Sequence, residues 1–77
     1  MEIVKGEALR DAWVRFVEAD GPLRCDDVLA RLRADGLVPV GEDRKGRIRN
    51  LHSAAMHETR LTRVAPGLFG LNDSRAG

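Results

Sequence analysis

Apolar residues recur at three- and four-residue spacing through most of this chain, and glycine or proline closes each run. Over Gly6–Asp20 the residues Leu9, Ala12, Trp13, Phe16 and Val17 share one face, which predicts a first helix ended by Gly21-Pro22. The residues 22–24 that follow read as a short extended strand, because proline disfavours helix around it. Cys25, Val28, Leu29 and Leu32 then follow the i, i+3, i+4, i+7 rule of a second helix. Asp26 and Asp27 occupy its first turn, where carboxylates favour the helix dipole, and Gly36 is its expected stop. Arg24 stands where a Ser or Thr cap is usual, and its side chain accepts no hydrogen bond. Either Cys25 or Asp26 therefore begins this helix, or that end is loosely held.

Residues 37–40 (Leu-Val-Pro-Val) form an apolar connector, and the polar loop at residues 41–46 leads into a third helix. Turning about 100° per residue from Ile48 puts Leu51, His52, Ala55 and Thr59 on its inner side. Arg49, Asn50, Ser53 and His57 fall on the outer, polar side. Residues 61–64 and 68–71 then pair as a hairpin. Pro66 presets φ and Gly67 accepts a positive one, which suits a type II turn. Residues 72–77 are expected to fray. The reading is one α+β domain with its core over residues 6–71.

Helix, strand, tight turn, strand is the order in which a winged helix-turn-helix domain ends, with three helices and a C-terminal two-stranded hairpin as the wing. Charge sharpens that picture. Arg44, Lys45, Arg47, Arg49, Arg60 and Arg63 meet only the acid Glu58 between positions 44 and 63, so this stretch carries +5 while the chain carries +1. Residues 1–35 hold six bases and eight acids, 6 − 8 = −2, so the basic excess lies in the C-terminal half. Such asymmetry points to an anionic partner there. A helix of roughly 10–12 Å diameter fits the roughly 12 Å major groove of B-form DNA. Arg47, Arg49, Asn50, Ser53 and His57 are candidates for the groove. Arg44, Lys45, Arg60 and Arg63 are candidates for phosphates.

Other chemistries fail on spacing. His57-Glu58 would begin a zinc-protease HExxH motif only if position 61 were His, and it is Leu61. His52 and His57 point about 140° apart on a helix and cannot share a metal. Ser53 and His57 lack an orienting carboxylate and oxyanion donors. Cys25 is the single cysteine, which excludes an intramolecular disulfide and a cysteine-rich zinc site. It reads as a small buried hydrophobe, and Trp13 as a core residue. The chain has no apolar run of membrane-spanning length, and its N-terminus does not read as a signal peptide. A non-enzymatic cytoplasmic or nucleoid-associated protein without cofactor or metal is expected.

The segment GPLRCDDVLARLRADGLV (residues 21–38), followed by LTRVAPGLFGL (residues 61–71), resembles the HARE type of winged helix-turn-helix domain. Such domains are found fused to restriction endonucleases, to chromatin factors and in the delta subunit of bacterial RNA polymerase. The resemblance spans about residues 6–71, and its most specific part is the terminal run at residues 63–71. It implies a double-stranded DNA partner, in some members with sensing of base modification or recruitment of effectors. It equally leaves open a protein-interaction module that docks onto polymerase, a fused catalytic domain or a second copy of itself, since fold does not settle function.

Overall fold

A computed structural model describes residues 1–72. Eight elements follow one another: β1 (Glu2–Val4), α1 (Gly6–Asp20), β2 (Leu23–Arg24), α2 (Cys25–Ala34), β3 (Leu37–Pro39), α3 (Arg44–His57), β4 (Leu61–Ala65) and β5 (Leu68–Leu71). All three helices occur where the apolar spacing puts them. Gly21 ends α1 with a φ of 84° and donates its N–H to the Val17 carbonyl at 2.8 Å. Gly36, at φ 78°, follows the last turn of α2. Cys25 begins α2, and the capping acceptor comes from inside the helix: the Asp27 carboxylate takes the N–H of Arg24 at 3.0 Å.

The third helix starts at Arg44, inside the stretch expected to be loop. Asp43 is the reason, because its extended backbone and short carboxylate let Oδ1 accept the Gly46 N–H at 2.8 Å. Gly41 fits beneath this first turn with a φ of 146°; a Cβ there would lie 2.7 Å from the Arg47 backbone nitrogen. The helix ends at His57, so Thr59 lies beyond it and is exposed.

Two small sheets hold the ends of the chain. β2, β5 and β4 form a three-stranded antiparallel sheet in the order β2-β5-β4, with Leu23 opposite Phe69 and Arg63 opposite Phe69 on the other side. The pairing of β4 with β5 shifts register between Arg63 and Ala65, a bulge that runs the strand one residue past the expected end. Gly67 turns the pair at φ 73°, and Arg24 donates from Nη1 to the Pro66 carbonyl at 3.1 Å, clamping the turn to β2. The second sheet was not expected: β1 runs parallel to β3, with Ile3 beside Val38. The connector at residues 37–40 is thus largely a strand, and the core reaches back to Val4. Asn72, expected to begin the frayed tail, instead donates its N–H to the Arg60 carbonyl at 2.8 Å. The remainder of that tail, residues 73–77, lies outside the described residues.

The core is centred on Trp13, fully buried between the helices and the three-stranded sheet. Its ring meets Phe69 edge to face at 5.5 Å, and its Nε1–H donates to the Leu51 carbonyl of α3 at 3.0 Å. Val17, Val28, Leu32 and Leu51 fill the space around this pair. The molecule is a small α+β domain of three helices and short strands, compatible with a winged helix.

Trp13→Phe is expected to lose about 1 kcal/mol for the hydrogen bond and a similar amount for the space left behind. That total of about 2 kcal/mol lowers the thermal midpoint by roughly 8–16 °C in a domain of this size, measurable by circular dichroism. Gly41→Ala is expected to cost about 1–3 kcal/mol, because both the positive φ and the Arg47 backbone oppose a Cβ. Urea unfolding with an unchanged midpoint would refute that account of Gly41.

Candidate nucleic-acid interface

The two faces of α3 are set by what packs behind it. Leu51 and Ala55 are buried and Ile48 is half-buried, whereas Lys45, Arg49, Ser53 and Met56 are exposed. Lys45, Arg49 and Ser53 repeat every four residues, and Met56 follows Arg49 by seven, so all four lie along one outward stripe. No acid interrupts α3 itself. Asp43 and Glu42 sit only at its start, beside Lys45 and Arg49.

Not all the basic residues of this region are available to a partner. Arg44 forms an exposed ion pair with Asp26 at 3.0 Å, joining the start of α3 to α2. Arg47 is half-buried and donates from Nε to the Gly41 carbonyl at 3.2 Å. Asn50, expected on the outer face, is half-buried, and its Nδ2 donates to the Val40 carbonyl at 2.6 Å. Its amide holds the β3 end against α3 and has one fewer donor to offer a base. Lys45, Arg49 and Arg63 form no ion pair among the described residues.

Ser53 and His57 are both exposed, one helical turn apart. The His57 Nδ1 lies 2.8 Å from the Ser53 carbonyl and 3.4 Å from its hydroxyl. A carbonyl only accepts, so this geometry suits a proton on Nδ1 donated to the Ser53 carbonyl. His52, expected on the inner side, is exposed with its ring edge-on to Phe69 at 5.5 Å. It shields the core from outside. Cys25 is half-buried against the core; burial first, and the neighbouring Asp26 charge second, push its thiol above the ordinary range.

Arg60 is the cation most altered by the fold. Its Nε and Nη2 donate to both carboxylate oxygens of Glu58 at 2.8 and 3.1 Å, its N–H adds a third bond at 2.8 Å, and Nη2 also meets Asp11 of α1 at 2.6 Å. Glu58, at 7% exposure the one buried charged side chain among the described residues, has Arg10 at 3.8 Å as well. This cluster closes α3 against α1 and β4, and it offsets the Arg60 charge internally. In the sequence Glu58 reads as the single acid of the basic stretch and as part of a failed motif, not as a structural residue. Its position just after an amphipathic helix and two residues before an arginine was the available signal.

Arg63 projects from β4 on the α3 side. It lines one open groove with Met56, Thr62 and Leu61, over a floor formed by Ala55 and Phe69. The hairpin cation therefore borders the Met56 end of the outward stripe, whereas Lys45 and Arg49 line a separate hollow at the start of α3. Among the described residues no group of three or more His, Cys, Asp or Glu side chains can hold a metal, and no helix is long and apolar enough to cross a membrane. The class defined by fold and surface is a small three-helix α+β domain with a basic helix face beside a β-strand pair. No protein-family model, curated protein or solved structure matches the chain.

The Glu58 carboxyl is held down to about 2 from the ordinary 4.5, chiefly by the hydrogen bonds from Arg60 and despite its burial. Its contribution to stability is therefore complete above the unfolded value of 4.5 and is lost as pH falls from there through about 2. Glu58→Gln is expected to cost about 1–3 kcal/mol at neutral pH and to flatten the fall in thermal midpoint across that acid window. An equally steep fall in the variant would remove Glu58 from this role.

Proposed function

We propose that this chain is a non-enzymatic, winged-helix DNA-binding domain. In this reading α3 lies in or near the major groove, and the β4–β5 hairpin acts as the wing beside the phosphate backbone. The observation that supports it is that Lys45 and Arg49, which form no ion pair among the described residues, share an outward helix stripe without an acid, whose Met56 end borders a groove also lined by Arg63. Arg49 is the residue best placed to donate two bonds to guanine, with Ser53 and His57 as smaller polar contacts. Lys45 and Arg63 flank them as phosphate contacts, which fix register without reading sequence. Arg44, Arg47, Asn50 and Arg60 serve mainly to build and brace this surface, because each already holds a partner within the fold.

A protein-docking role is the second reading, and it has an observation of its own. Ile3 is 63% exposed on β1, a strand that pairs on one side only, so the edge can accept a strand from a partner.

Titrating a labelled DNA duplex with this protein at several salt concentrations separates the two. With about two phosphates neutralised, log affinity is expected to fall against log salt with a slope of about −2. Arg49→Ala should weaken binding by about 1–3 kcal/mol, whereas Arg60→Ala should leave the slope unchanged. No binding at low salt would refute the DNA reading and favour the protein-docking one.

A further inference from the structure

Met56 is more than half exposed, at 55%, at the C-terminal end of an outward helix stripe whose other members, Lys45, Arg49 and Ser53, are polar or charged. It is the one large apolar side chain on the outward stripe of α3. Seven residues separate it from Arg49, which brings it back to the same side within about 20° and about 10.5 Å further along the helix. From there it borders the groove whose opposite wall is Arg63 and Thr62. A helix face turned only towards water gains nothing from an exposed thioether. A major groove, by contrast, presents one apolar group on a base edge, the C5-methyl of thymine, among its donors and acceptors.

On the DNA-binding reading above, on which this inference rests, we infer that Met56 is a specificity-determining residue that packs its side chain against thymine C5-methyl groups. Arg49 and Met56 then divide the work along one stripe. The guanidinium contacts acceptors on one part of the site, and the unbranched thioether adapts its rotamers to a methyl on another. Arg63, across the groove, holds the neighbouring backbone and keeps the helix at the depth where Met56 reaches the base edge. The contact excludes water from one methyl group, so its expected value is about fourfold in affinity.

Deoxyuridine retains the O4 acceptor of thymine and lacks the methyl, so it isolates this contact. Fluorescence anisotropy with alternating dA-dT and dA-dU duplexes needs no knowledge of the preferred site, because methyls occur in every register. The native chain is expected to bind the thymine duplex about fourfold more tightly. Met56→Ala and Met56→Gln should bind both duplexes equally and keep the native salt slope. The variants compare each duplex with itself, so any effect of the methyl on DNA shape cancels in the cycle. Equal binding of both duplexes by the native chain would overturn the inference while leaving DNA binding intact, as would a preference that survives in both variants. Failure to bind either duplex at low salt would overturn the DNA-binding reading itself, and this inference with it.

Discussion

The hydrogen bond from the Trp13 indole to the Leu51 carbonyl, made inside a fully buried contact with Phe69, is the constraint on which the rest of this small domain depends. An indole N–H buried without a partner costs about as much as a lost hydrogen bond, so the ring is tolerated at the centre only where a carbonyl meets it. That requirement fixes α3 in rotation as well as in distance. With Leu51 facing α1, the opposite side of α3, bearing Lys45, Arg49 and Ser53, necessarily turns outward. The same ring contacts Phe69, whose strand carries the hairpin, so one aromatic pair positions both parts of the candidate interface.

Around that centre the molecule sorts its cations into two kinds. Arg24, Arg44, Arg47 and Arg60 bond to carbonyls or carboxylates and brace the fold: β2 to the hairpin turn, α3 to α2, α3 to the loop just before it, and the turn ahead of β4 to α1. Most of these contacts are exposed, and each contributes little to stability alone. The Glu58 cluster differs because the carboxylate is buried and several donors converge on it. Lys45, Arg49 and Arg63 remain outside this bracing, as do Lys5, Arg15 and Arg33 on other elements, so the charge left to a partner is smaller than the count of basic residues implies.

Much of the fold was legible in residue order. The spacing of Leu9, Trp13 and Val17, and of Val28, Leu29 and Leu32, identifies buried helix faces because the same 3.6-residue period governs both sequence and packing. Glycines at 21, 36 and 67 mark the places where the chain adopts positive φ, a local steric matter. The parallel pair of β1 and β3 was not legible: three-residue strands carry no period, and their partner lies across two helices. The start of α3 was misjudged because Asp43 was read as loop polarity, whereas its side chain acts as a cap. His52 was placed inward from its angle on the helix, yet it sits on the rim of the core against Phe69.

By itself, then, the amino-acid order determined the number and type of helices, the hairpin turn, and the clustering of positive charge in the second half, since each depends on neighbours within a few residues. Only the tertiary structure decided which cations remain available. Whether Arg60 meets Asp11, Arg44 meets Asp26, or Asn50 meets the Val40 carbonyl depends on elements brought together through the core. A charge or an amide presents itself to a partner only when the fold has left it without an internal one, and that balance is struck by distances that residue spacing does not encode.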